Sequence, residues 1–162
     1  MGYTHYFTQR HDFDDAAWAR IREDARALMA ASPVPLAYGA GSNQPPLAGE
    51  DHIRFNGKPG CENFVLMRVM RSLPSSPEGT VPRGDVAEGR QGAPPGFGWC
   101  KTNREPYDRV VVALLACVVE HAGDEVVSVE SDGNAAEWRG HLSWGSDVLG
   151  RPLRLPRYVR RR

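Results

Sequence analysis

Cys100-Lys101-Thr102-Asn103-Arg104-Glu105-Pro106-Tyr107-Asp108, with the apolar run Val110 to Val119 that it opens, is the stretch whose reading decides the fold. Every residue of the run is apolar, and Ala113, Ala116 and Cys117 are its small members. A helix apolar on all sides is buried on more than one of them, and about ten residues are too few to span a bilayer. The β-branched start, Val110-Val111-Val112, suits a buried strand equally, and periodicity does not separate the two. Polar residues of capping character before the run and His121-Ala122-Gly123 after it favour a central core helix ending near His121.

The start of this helix reads in two ways. Thr102 with Glu105 has capping-box spacing, whereas Pro106 suits the first helical position with Asp108 two residues on. In both, a helix N-terminus carrying about half a positive charge lies beside Lys101, Arg104, the Thr102 hydroxyl and the Asn103 amide. That combination points to a phosphate or carboxylate site. Its plainer reading is a capped helix with a solvated Lys and Arg.

Working outward, Gly2 to Thr8 alternates as a strand, with Tyr3, His5 and Phe7 on one face. Asp12, with Asp15 three residues later, caps an amphipathic helix of Trp18, Ile21, Ala25, Leu28 and Met29 that ends at Ser32-Pro33. Residues 33–50 form a loop, with a short strand at Leu36 to Tyr38. His52 to Asn56 and Asn63 to Val69 form a hairpin around Asn56-Gly57 and Pro59-Gly60, the first strand an edge and the second more central. Residues 71–98, dominated by Pro, Gly, Ser and charge, form a long insertion. Glu125 to Ser131 is a strand. Asp132-Gly133-Asn134 turns it into a last helix, with Trp138, Leu142, Gly145 and Leu149 on one face and Gly150-Arg151-Pro152 as its end.

This order, βαββαβ with an extra C-terminal helix, predicts one α+β domain over residues 1–150: an antiparallel sheet with helices on one face, in the ferredoxin-like arrangement. The first strand then lies under the central helix and brings His5 or Tyr3 near its N-terminus.

Length and composition fit a single soluble domain able to bury a core without disulfides. No segment has membrane length or signal-peptide character, and Cys61, Cys100 and Cys117 are three cysteines without CxxC spacing. The expected location is therefore the cytoplasm, with no membrane association. Residues 151–162 hold six arginines and no acid, so the remaining 14 basic residues face 20 acidic ones, a body of about −6 with a basic tail. Arg151, Arg154, Arg157 and Arg160 recur every third residue. In a polyproline II conformation they share one edge, which suits nucleic-acid phosphates or an acidic partner. Leu153, Leu155, Tyr158 and Val159 also allow the tail to dock on its own body.

Several chemistries find little support. Cys100 beside Lys101 has the setting of an activated thiol, but no paired His follows locally. His5, His11, His52, His121 and His141 show neither HxH nor HExxH spacing, so no metal is expected. No dinucleotide, P-loop or nucleophile-elbow motif occurs, and no cofactor is expected. Asp108, Asp132 and Glu130 are candidate acid-base groups.

Met1-Gly2-Tyr3-Thr4-His5-Tyr6, Ile53-Arg54-Phe55-Asn56-Gly57, Glu62-Asn63-Phe64, Cys100-Lys101-Thr102 with Pro106-Tyr107-Asp108, and Ser131-Asp132-Gly133 together resemble a family of small phage and prophage proteins of undescribed function. The matches run in order along most of the chain outside 71–98 and the tail. The chain departs from that pattern at Phe7, where Trp is expected, in the arginine-rich tail, and at Glu105, where Lys is expected. The last exchange takes a positive charge from the anion site. The resemblance implies a viral accessory role, anti-defence in kind.

The reading that results is a phage or prophage protein that binds and sequesters a small phosphorylated or nucleotide signal. Lys101 and Arg104 neutralise phosphate, while Thr102, Asn103 and backbone N–H groups bond it. Tyr3, Tyr107 or Trp99 stacks on a base. One alternative is an enzyme cleaving the same ligand with His5 or Asp108 in acid-base roles. Another is an inhibitor that binds a host defence protein through the tail and the 71–98 loop. A pocket shared between subunits would make the protein a homodimer.

Overall fold

A computed structural model describes residues 2–70 and 96–160. The chain is α+β: β1 (Thr4–Gln9), α1 (Asp15–Ala30), β2 (Leu47–Ala48), β3 (His52–Phe55), β4 (Phe64–Met67), β5 (Phe97–Lys101), α2 (Asp108–Ala122), β6 (Val127–Ser131) and α3 (Ala135–Leu149). The strands form two antiparallel sheets, ordered β5-β1-β6 and β2-β3-β4, where one sheet in ferredoxin-like order was expected. The expected insertion at 71–98 lies mostly outside the described residues, and its last two residues open β5 instead.

β5 escaped the sequence because its inward positions carry little apolar signal. In register, Gly98 faces Phe7 and Cys100 faces His5, and a Cβ on Gly98 would lie 2.3 Å from the Phe7 ring. The glycine is what lets that ring fill the space. In the second sheet β3 is the middle strand and β4 the edge, the reverse of expectation, because the two-residue β2 pairs with β3. The expected strand at Leu36 to Tyr38 is a single bridge, Ala37 with Asn56.

α1 is capped by Asp14, whose carboxylate accepts from Ala17 N at 2.7 Å. Asp12, the expected cap, instead accepts from Met70 N at 2.9 Å. Three acids within four residues all have capping chemistry, and the burial of Phe13 decides among them by turning the chain inward before the helix starts.

α2 is the core. Val110 through Val118 are all at most 3% exposed, and the helix lies between α1 and α3 and against β6. At about 1.5–3 kcal/mol for each buried Val or Leu, this run is the largest block of apolar stabilisation in one element. Gly145 of α3 permits the close crossing, since a Cβ there would sit 2.8 Å from Ala113 Cβ. α3 begins with a capping box of Asn134 and Glu137 and ends at Gly150 in the left-handed region, φ 68°.

The tail docks on the body. Arg151 forks onto Asp24 of α1 at 3.0 and 2.5 Å and reaches Glu120 of α2 at 3.3 Å. His121 Nε2 lies 2.6 Å from the same Asp24, so one buried carboxylate ties together α1, α2 and the chain after α3. Leu153, Pro156 and Val159 are buried, and Ala135 N donates to Arg160 O at 2.7 Å. The segment closes in a turn, Val159 N to Pro156 O at 3.2 Å, so the expected continuous polyproline II edge is replaced by an extended strap with a turn at its end. No helix among the described residues is long and apolar enough to cross a membrane.

Candidate functional site

The topology places β1 beside β5 and β6 and brings the first residue of α2, Asp108, to His5. His5 is fully buried, and its Nε2 lies 2.7 Å from Asp108 Oδ1. Its other nitrogen, Nδ1, lies 2.9 Å from Ser131 Oγ on β6. Ser131 Oγ also accepts from Gly133 N at 2.9 Å and from Trp138 Nε1 at 3.2 Å. Ser131 is thus where the His5 ring, the turn after β6 and α3 meet.

Asp108 Oδ1 takes a second hydrogen bond, from the Thr102 hydroxyl at 2.5 Å. His141 Nε2 on α3 lies 3.3 Å from Oδ2, an electrostatic contact without hydrogen-bond alignment. Burial on its own would raise the Asp108 pKa. His141, His5 and Thr102 more than offset it and hold the carboxyl well below the usual carboxylate range. The first residue of α2 thus carries its own buried anion at the helix's positive end.

Tyr3 and Trp138 wall the His5 ring edge-on, with centroids 5.1 and 5.5 Å away. Burial, then the charges of Asp108 and Glu137, push the Tyr3 phenol up to about 12. Gly133 is required by this packing, because a Cβ there would come within 2.1 Å of the Tyr3 hydroxyl.

Above this layer lies the turn from Thr102 to Tyr107. Thr102 N and Asn103 N both donate to Tyr3 O, at 3.0 and 3.2 Å, and Glu105 N donates to Thr102 O at 3.0 Å. Asn103 (φ 52°) and Arg104 (φ 60°) are consecutive non-glycine residues in the left-handed region. For Arg104 this costs about 1–2 kcal/mol, whereas asparagine enters the region more readily. Arg104 lies over the Tyr3 ring, 3.9 Å to its centroid, and donates through Nε and Nη2 to Glu137 Oε1 at 3.1 and 2.8 Å. Its Nη1 group makes no hydrogen bond to a described residue.

Of the residues singled out from the sequence, Tyr3, His5, Thr102, Asn103, Arg104, Tyr107 and Asp108 come together around this helix end. Five of them, Tyr3, His5, Thr102, Tyr107 and Asp108, are buried, so their polar groups bond neighbouring protein groups. Tyr107 OH, for example, donates to Glu62 O at 2.9 Å. Lys101, Asn103 and Arg104 form the exposed part. Trp99 is not brought to the site: it pairs with Tyr6 and contacts Phe97 on the other face of the sheet. Cys100 is fully buried with its thiol pushed far up by burial, which suits packing and not nucleophilic attack. His5 and Asp108, given acid-base roles in the cleavage reading, are at most 1% exposed and reach no ligand unless the turn moves.

Ser131, Trp138, Glu137 and His141 belong to the site and were not read as part of it. The signal lay in α3, where Glu137, Trp138 and His141 stand three and four residues apart on one side of the helix. It becomes legible only once that side is known to face β1. Among the described residues no group of three His, Cys, Asp or Glu could hold a metal ion. A pocket of about 230 Å³ lined by Pro35, Gly41, Ser42, Asn43, Gly57 and Lys58 lies beside the site, and its Lys58 Nζ reaches Glu105 of the turn at 3.9 Å. Comparison with protein-family models, with curated proteins and with solved structures finds no match to this chain.

Proposed function

We propose that the chain is a phage or prophage accessory protein, anti-defence in kind, that binds and sequesters a small phosphorylated or nucleotide ligand at the exposed turn before α2. The observation that carries this reading is the left-handed pair Asn103-Arg104, held over a buried layer in which His5 and Thr102 bond Asp108. Two consecutive left-handed residues of this kind persist only where the surroundings fix them, and such strain concentrates at binding sites. Lys101, which forms no ion pair with a described residue, and the free Nη1 edge of Arg104 then face solvent as donors to a phosphate, whereas the Asn103 amide is held by Tyr3 N and Cys61 Sγ.

The buried layer supplies rigidity and not contact. His5, Thr102 and Asp108 fix the turn from beneath, so the ligand loses little affinity to loop ordering. The reading is binding and not turnover because His5 and Asp108, the groups with acid-base character, are at most 1% exposed. The resemblance to phage and prophage proteins supports the biological role and adds no contact of its own.

Calorimetric titration of a panel of cyclic and linear nucleotides into the full chain tests the reading. At least one should bind, and Lys101→Glu should abolish that binding with no change in melting temperature. Wild-type affinity in the Lys101→Glu protein would refute the assignment of the site.

A further inference from the structure

The basic strap after α3 alternates with a period of three. Leu153, Pro156 and Val159 are buried, whereas Arg154, Arg157 and Arg160 are exposed. None of these three arginines forms an ion pair with a described residue, although the body carries about six more acids than bases outside residues 151–162. Arg151, by contrast, is spent on Asp24 and Glu120. The strap is therefore fixed at both ends, by Arg151 at its start and by the bond from Ala135 N to Arg160 O at its finish, and it turns three unpaired guanidinium groups outward.

The turn Pro156 to Val159 places Arg157 and Tyr158 at its tip, and Tyr158 is the one large hydrophobic exposed among the described residues, at 50%. The Arg157 guanidinium lies 5.8 Å from the Tyr158 ring centroid. A half-exposed tyrosine beside exposed arginines on a held backbone is the pairing that single-stranded nucleic acid uses: bases stack on the ring while phosphates take the guanidinium forks.

We infer that Arg154, Arg157, Tyr158 and Arg160 form a binding surface for single-stranded nucleic acid. This surface is independent of the small-ligand site at the turn before α2. Three phosphate contacts to a single strand give a slope of about −2 in log affinity against log salt, which is about 20-fold between 50 and 200 mM.

Fluorescence anisotropy of a labelled 20-nucleotide oligothymidylate with the full chain tests this. The triple variant R154Q/R157Q/R160Q should bind more weakly, with a salt slope shallower by about 2, and should melt at the wild-type temperature because these side chains form no ion pair with a described residue. Tyr158→Ala should lose about 10-fold in affinity at an unchanged slope, as expected for a stacking contact. The inference is overturned if the triple variant keeps the wild-type affinity and slope. It is overturned equally if polyglutamate competes as well as the oligonucleotide does, which would make the partner an acidic protein.

Discussion

Replacing Asp108 with alanine removes the acceptor that joins β1, the turn before α2 and the helix itself. Oδ1 is the partner of both His5 Nε2, at 2.7 Å, and the Thr102 hydroxyl, at 2.5 Å, and all three side chains are essentially fully buried. Each buried donor left without a partner costs about 1–3 kcal/mol, so two of them amount to roughly 2–6 kcal/mol. That is a large fraction of the 5–15 kcal/mol on the order of which a domain is stable. Asp108→Asn keeps a carbonyl oxygen for both donors and should cost much less, about 1–2 kcal/mol. Urea unfolding followed by circular dichroism measures both. His5→Phe made in the Asp108→Ala background should be far milder than in the wild type, with a coupling of about 1–3 kcal/mol. An Asp108→Ala protein within about 1 kcal/mol of wild type, or purely additive effects with His5→Phe, would refute the claim that this carboxylate holds the site together.

Acid should destabilise the fold. Burial opposes ionisation of Asp24, but hydrogen bonds from His121 and Arg151 and the Arg151 charge overcome it and hold the carboxyl down to about 2. A folded-state pKa below the unfolded one means the stabilisation is complete above about pH 4 and lost as pH falls toward 2; for Asp24 it is about 2 kcal/mol, and Asp108 adds in the same direction. A stability profile flat from pH 5 to pH 2 would contradict this. Arg151→Ala leaves Asp24 buried beside His121 alone and should lower stability by about 2–3 kcal/mol in chemical denaturation. Gly133→Ala should cost about 1–3 kcal/mol, read as a lower melting temperature, because the new methyl meets the buried Tyr3 hydroxyl.

Much of the frame was legible from local pattern. The all-apolar run from Val110 fixed a central helix, and the alternation of Tyr3, His5 and Phe7 fixed the inward face of β1; the ferredoxin-like strand order from which His5 was placed near the helix start is not the order found. What sequence did not carry were partners set by tertiary contact. Phe97 to Lys101 reads as the end of a Gly-rich loop until the Phe7 ring is known to occupy the space over Gly98. The left-handed pair at 103 and 104 has no glycine to announce it, since Tyr3 and Glu137 hold Arg104 there from distant parts of the chain. Arginine at 104 looked like a free cation for the same reason. Burial likewise turned Thr102, Tyr107 and Asp108 from ligand contacts into the support beneath them.

The most direct test of binding without turnover at the turn before α2 is recovery of the ligand itself. The full chain is incubated with a panel of nucleotide signals, free ligand is removed, the protein is denatured, and the released nucleotides are identified by mass spectrometry beside the Lys101→Glu variant. The account predicts one nucleotide class retained by the wild type, released chemically intact, and absent from the variant. Recovery of cleaved products, or retention of no nucleotide at all, would contradict it.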